Sequence, residues 1–422
     1  MHFNLRRSWI SGVPGIAAAA AMALVSGAAF AQAGETVRIA LIDPTSGPMA
    51  NIGDAFFKVF QLESERLSAK GNPGNPAGVK FEVVPFDNKM SPQESLSVLK
   101  TAIDQGFRYV AQGGSSGSAA AIIDAVNKHN ERNPGKEVVY LNHSAVDPDL
   151  TNSKCSFWHF RFDADTSMKM EAMGSAIKDD AGVKKVYIIG QNYSHGVQVS
   201  RFAKEVLARK APQVQVVGDE LHPLGQVKDF APYVAKIKQS GADTVITGNW
   251  GQDLALLVKA AKDAGLTTQW YTYYAGAQGT PTAIGNAFTD KITQVYGSYS
   301  NQPGEYAVIR DQYKKRFNQD LSTSTILHAM RMLAGGIAKA KSTDPVKVAH
   351  AMEGLTVKSY AGDITMRAAD HQLQQPLYQS KWVKVDAKNS YNVEGTGHTF
   401  ALLRTFEPYV SSTPTTCQMK RP

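Results

Sequence analysis

Short runs rich in Val, Ile, Thr and Tyr alternate along this chain with segments whose apolar residues recur every three or four positions. That rhythm constrains the fold more than any single motif. The strand-like runs are 37–42, 79–86, 109–111, 138–141, 186–189, 214–217, 244–247, 270–273 and 293–296. Helical patterns occupy 51–70, 92–105, 118–130, 197–210, 230–240 and 252–264. Strand, helix, strand, repeated, predicts an α/β fold with parallel sheets covered by helices on both faces. Gly241 and Gly265 sit just past helical runs as C-cap glycines, and Asp344-Pro345 opens a further helix. After Tyr299 the pattern changes to two long helical segments, 305–317 and 324–341, then to short strands near 381–385 and 399–403. So many strands suit two sheets better than one, which predicts two similar lobes with a cleft between them.

The first 31 residues stand apart from this pattern. Arg6 and Arg7 precede an Ala-rich apolar run, and Ala29-Phe30-Ala31 is a small-x-small cleavage site. These are the marks of a secretory leader cleaved near Ala31, with an apolar run too short for a stable membrane span. The chain that remains is long enough for two domains. Its 43% hydrophobic and 19% charged residues are ordinary, and its net charge of +8 is scattered, with Lys314-Lys315-Arg316 the one tight cluster. Nucleic-acid binding needs a concentrated basic face, so no such partner is expected. No His/Cys spacing suits a metal, and no cofactor motif is present. Cys155 and Cys417 are the only cysteines. In an oxidising compartment they form a disulfide that pins the C-terminal tail beside the middle of the chain, or else they are two buried thiols.

One motif invites an enzymatic reading. Gly113-Gly114-Ser115-Ser116-Gly117 is a G-x-S-x-G between a strand-like and a helix-like run, the pattern of a hydrolase nucleophile elbow. Asp386 and His398 would complete a triad with Ser115, but no glycine-rich oxyanion segment precedes the serine. The other reading uses the same residues as a cradle. Backbone N–H groups at a Gly/Ser turn leading into a helix hold a negative charge, and Ser115, Ser116 and Ser118 add hydroxyl donors. No lysine of a phosphate-binding loop follows, so a carboxylate on a small solute fits better than a nucleotide.

The order of several loop segments resembles the periplasmic leucine/isoleucine/valine-type solute-binding proteins, receptors of ABC importers of the branched-chain amino-acid class. The segments are Thr45 to Gly53, the serine turn at 113–118, Ser144 to Thr151, Asp229 to Tyr233 and Lys262 to Leu266. The resemblance implies a type I periplasmic-binding-protein architecture, two Rossmann-like lobes joined by three crossover segments, closing like a hinge. It assigns 34–162 with 299–362 to the first lobe, and 163–298 with 363–422 to the second lobe and C-terminal tail. By analogy the first lobe holds a ligand carboxylate with Ser115, Ser116 and the backbone of Ser144, Ala145 and Val146. The second lobe closes with His195, Trp250 and Tyr274, which lie after its strands. The resemblance further implies a monomer that hands a small amino acid or organic carboxylate to a membrane permease, without catalysis.

Two departures bear on the ligand. Leucine-type receptors have a threonine where Val146 stands and a glutamate near Tyr274, both serving the ligand's ammonium. Here aromatic residues take over, Trp250 and Tyr274 and, less directly, Tyr193, whereas Tyr273 should point into the sheet core because strand neighbours alternate faces. A buried ammonium without a carboxylate costs several kcal/mol, on the order of the penalty for an unpaired buried ion. The pocket therefore suits a ring-bearing or branched carboxylic acid, unless Asp253 or another acid compensates. Two alternatives belong to other classes: an exported serine hydrolase using Ser115, and a ligand-sensing partner of a membrane kinase.

Overall fold

The computed structural model describes residues 33–422, so the expected leader at 1–31 lies outside the described residues. The first lobe opens with β1 (Thr36–Asp43), α1 (Ala50–Ser68), β2 (Lys80–Asp87), α2 (Pro92–Asp104), β3 (Tyr109–Gln112), α3 (Ser116–Arg132), β4 (Val139–Asn142) and β5 (His159–Arg161). These strands form a parallel five-stranded sheet in the order β2-β1-β3-β4-β5. Every residue of β3 and β4 is buried, as expected where helices cover both faces of a parallel sheet.

The second lobe repeats the theme. It contains α4 (Thr166–Lys178), β6 (Lys185–Gln191), α5 (Ser194–Lys210), β7 (Gln215–His222), α6 (Ala231–Gln239), β8 (Thr244–Thr247), α7 (Gly251–Asp263), β9 (Gln269–Thr272), α8 (Thr280–Ile284) and β10 (Ile292–Tyr296). The chain then returns to the first lobe through α9 (Glu305–Phe317), α10 (Thr325–Ala340) and α11 (Pro345–Met352). A small antiparallel sheet follows, made of β11 (Thr356–Ser359), β12 (Gly362–Met366) and β13 (Leu373–Gln374). Finally β14 (Leu377–Lys384) and β15 (His398–Phe406) add antiparallel strands to the second sheet, whose order is β15-β14-β10-β9-β8-β6-β7.

The strand and helix rhythm of the sequence thus appears as two parallel sheets, with differences that have physical causes. Ile364, Met366 and Leu373 pack in the core of the first lobe, so the expected boundary at 362 falls inside the small sheet and the chain crosses back only after β13. The tail is not part of the second lobe throughout either. Cys417 is disulfide-bonded to Cys155, Thr415 Oγ1 donates to the Thr151 carbonyl, and Arg421 reaches Glu353, all on the first lobe. Neither β5 nor α4 shows in the sequence pattern. The strand has only three residues, and α4 is buried on nearly all sides, Lys169 included, which erases the amphipathic signal. Helices α3 and α5 begin two and three residues earlier than the apolar pattern indicates, because their first turns are polar yet buried.

Two of the three crossovers are cross-braced where they pass between the lobes. Arg161, at the end of β5, is fully buried. Its Nε donates to Gln372 Oε1 at 2.5 Å, one terminal nitrogen to the Asp147 carbonyl at 2.5 Å, and the other to Asp165 Oδ2 at 2.9 Å and to Thr151 Oγ1. Gln372 Nε2 donates to the Asp163 carbonyl, and Gln375 Nε2 to that of Phe162. A buried guanidinium is tolerated only when its nitrogens find acceptors, as all three do here. Removing one partner of such a pair strands the other, so Arg161→Leu should lower unfolding free energy by about 3–5 kcal/mol. The double variant Arg161→Leu/Asp165→Leu should recover part of that loss. Guanidinium denaturation of the three proteins checks both expectations, and equal stability of single variant and wild type would contradict them.

Candidate ligand-binding cleft

The carboxyl ends of both sheets face one cleft, where open α/β sheets place their ligands. Its walls include all eight residues expected from the sequence: Ser115, Ser116, Ser144, Ala145 and Val146 from the first lobe, His195, Trp250 and Tyr274 from the second. Tyr193 joins them, while Tyr273 points into the second core and is fully buried. Sequence reasoning did not find Ile52, Phe56 and Tyr296, which also line the cleft. On α1, Ile52 and Phe56 carry the same period as the core residues, and nothing local distinguishes a cleft-facing position from a buried one.

The serine turn is built as a cradle. Ser115 has an extended backbone (φ −151°, ψ 130°) and caps α3, its Oγ facing the Ser118 N–H at 3.5 Å. A nucleophile elbow instead holds its serine strained between glycines that let strand and helix approach. Here a Cβ on Gly113 would strike the His143 ring at 2.4 Å, but one on Gly117 would meet only ordinary contacts at 3.7 Å. Asp386 and His398 do not line the cleft, and the His398 ring bonds Thr289 and the Thr396 carbonyl. The Ser115 triad of the alternative hydrolase reading is therefore not assembled.

Asp43, at the end of β1, supports the turn from beneath. Its carboxylate accepts from the Gly113 and Gly114 N–H groups, the latter at 2.7 Å, and from His143 Nε2 at 2.9 Å. Those two amides are thereby occupied. Among the described residues, the N–H groups of Ser115, Ser116 and Gly117 meet no acceptor, and they stand at the positive end of α3. Ser116 Oγ accepts from the Asp147 N–H at 3.3 Å, which leaves its own proton to donate. Ser144 Oγ lies 3.0 Å from His143 Nδ1 and 3.2 Å from Thr325 Oγ1.

The second-lobe wall is aromatic and has no charge of its own. His195 is neutral, its pKa pushed down to about 3 by burial and by the nearby Lys169 cation. Its ring nitrogens are engaged, Nδ1 with Thr166 Oγ1 at 2.8 Å and Nε2 with the Gly248 carbonyl at 3.2 Å, so it offers the cleft a ring and no free nitrogen. No Asp, Glu, Lys or Arg is among the residues lining the cleft. Asp253 does not compensate: it is buried and accepts from Gln191 Nε2 and the Gly225 N–H, both at 2.8 Å. Behind the wall, Lys169 is fully buried, 2.6 Å from Asp163 Oδ2 and 3.3 Å from Tyr274 Oη. Burial pushes the Lys169 pKa down and the Asp163 pKa up, each offset in part by the other's charge.

His195 yields a pH prediction whose sign follows from where its proton is lost. The unfolded imidazole binds a proton near pH 6.5 and the folded one only near pH 3, so stability falls as pH drops through that window. Buried His328 behaves alike, whereas Glu63, raised to about 7 by burial, acts oppositely between pH 4.5 and about 7. The comparison that isolates His195 is His195→Gln against wild type by denaturant titration between pH 4 and 6. The variant should have a slope of stability on pH smaller by about 1.4 kcal/mol per unit, and an identical slope would mean that His195 titrates normally.

A family model described as periplasmic binding protein matches residues 36–389. The Leu/Ile/Val-binding protein homolog 4 of Brucella abortus (strain 2308) is 34% identical, over 96% of this chain and 97% of its own length. The leucine-, isoleucine-, valine-, threonine- and alanine-binding protein of Brucella ovis, solved in a closed conformation, superposes with a TM-score of 0.81. It is 31% identical and covers 92% of this chain and 100% of its own. A solute-binding protein of an R. palustris ABC transporter, in complex with benzoate, shares the fold at a TM-score of 0.76 and 19% identity, over 91% and 99% of the two chains. The chain belongs to the periplasmic binding protein family, among its Leu/Ile/Val-type members.

Proposed function

We propose that this protein is the ligand receptor of an ABC importer of the branched-chain amino-acid class, exported after loss of a leader near Ala31. It works as a monomer, closes its two lobes on one small carboxylate and delivers it to a membrane permease, without covalent chemistry. The observation that carries this reading is the cradle itself. Three unpartnered amides at the start of a long helix and the Ser116 hydroxyl converge on a cleft with no charged lining. Ile52, Phe56 and Trp250 supply apolar surface for the rest of the ligand. The relatives' names add an amino acid to the candidates, and the benzoate complex of a structural neighbour adds an aromatic acid.

Ser116→Ala removes a donor to the anion and should weaken carboxylate binding about 10- to 100-fold, the range of a hydrogen bond to a charged group. Calorimetry on protein stripped of carried-over ligand measures this, and unchanged affinity would remove Ser116 from the site. A fluorophosphonate probe should leave Ser115 and Ser144 unlabelled, whereas stoichiometric labelling of either would establish a nucleophile.

A further inference from the structure

Two phenols on the second-lobe wall hold protons that nothing in the protein receives. Tyr274 Oη accepts from Lys169 Nζ at 3.3 Å, and Tyr193 Oη accepts from Trp250 Nε1 at 2.8 Å. An ammonium and an indole N–H are donors only, so each phenol oxygen is the receiving partner and its own O–H is left over. Among the described residues neither O–H meets an acceptor, and both side chains line the cleft.

The lysine behind Tyr274 is held without freedom to do otherwise. Its ammonium pairs with Asp163 and lies 4.9 Å from the Tyr274 ring centroid and 5.5 Å from that of Tyr296. A fully buried lysine needs its charge answered, and one carboxylate with aromatic faces provides that. Asp163 gives one oxygen to Lys169, its Oδ1 is buried without a partner among the described residues, and the residue is not part of the cleft lining; Asp253 is taken by Gln191 and Gly225. An ammonium on a ligand would meet donors on this wall, a lysine behind it and no carboxylate among the residues lining the cleft.

We propose that Lys169 is a positioning residue that fixes Tyr274 as a donor, and that the ligand is an oxo- or hydroxy-substituted carboxylic acid rather than an amino acid. The carboxylate occupies the serine cradle, and the second oxygen accepts from the Tyr274 wall. This rests on the reading of the cleft as a carboxylate site. It adds to that reading what the ligand must present to the opposite lobe.

The test is calorimetry on stripped protein with two matched sets of probes. One comprises leucine, 4-methylpentanoate, 4-methyl-2-oxopentanoate and 2-hydroxy-4-methylpentanoate. The other comprises phenylalanine, 3-phenylpropanoate, phenylpyruvate and 3-phenyllactate. In at least one set an oxygen-substituted acid should bind about tenfold tighter than its unsubstituted parent, and the amino acid should bind more weakly than that parent. Tyr274→Phe should bring the ratio of substituted to parent acid close to one. The paired variant Lys169→Met/Asp163→Asn, which removes both buried charges together, should do the same while keeping the parent acid's affinity within about twofold. If the paired variant does not fold, Tyr274→Phe, which loses a single oxygen, still decides. An amino acid binding tighter than its oxygen-substituted partner overturns the proposal, as does an advantage that survives in Tyr274→Phe. A different failure, in which wild type binds no acid or Ser116→Ala binds every acid as wild type does, overturns the reading of the cleft and this inference with it.

Discussion

The guanidinium of Arg161 sits where the lobes, the ligand loop and the tail meet, and its hydrogen bonds fix how those parts are spaced. It reaches the Asp147 carbonyl, whose residue donates its N–H to Ser116 Oγ in the cradle. It reaches Asp165 and Gln372, which lie on two of the three crossovers. It also reaches Thr151, whose carbonyl receives the tail through Thr415 two residues before the disulfide at Cys417. A buried cation permits little slack, because a lost partner leaves an unsolvated charge. The ligand loop is therefore tied to the two crossovers that Arg161 joins.

The two faces of the cleft solve different problems with similar means. In the first lobe a buried carboxylate, Asp43, consumes two amides of the glycine-serine turn and orients His143, leaving the next three amides at the helix start unpartnered. In the second lobe a buried ammonium, Lys169, and an indole, Trp250, consume acceptor capacity on two tyrosines and leave their protons facing inward. On both sides a group behind the wall decides what the wall can offer. The outcome is a cavity rich in donors whose lining carries no formal charge, lowering the desolvation cost that charged walls would impose on closing.

The fold was legible because its signal is local. Runs such as 109–111 and 138–141 are buried on both faces and read as continuous apolar stretches. The cleft residues were legible through the resemblance to a family of solute receptors, whose loops after the carboxyl ends of parallel strands bind the ligand. That reading named Ser115, Ser116, Ser144, Ala145, Val146, His195, Trp250 and Tyr274, and all eight line one cavity. It gave no sign of Lys169, which on a helix reads as a solvent-facing residue, nor of Asp43, which reads as the end of a strand. Asp43 meets Gly113, Gly114 and His143, 70 to 100 residues away, and although Asp163 lies six residues before Lys169, the phenol of Tyr274 that the lysine reaches lies 105 residues beyond it.

The sequence by itself determined the alternation of strands and helices, the two sheets, the glycine-serine turn at a helix start and the pair of cysteines. Each depends on backbone preferences and periodicity within a few residues. Only the tertiary structure decided which amides stay free, which nitrogens of His195 are spent, and where the tail is anchored. Those outcomes hinge on pairs such as Asp43 with Gly114, 71 residues apart, and Arg161 with Gln372, 211 residues apart. Hydrogen-bonding capacity is consumed in space, and a donor's availability to a ligand is known only once every competing acceptor has been placed.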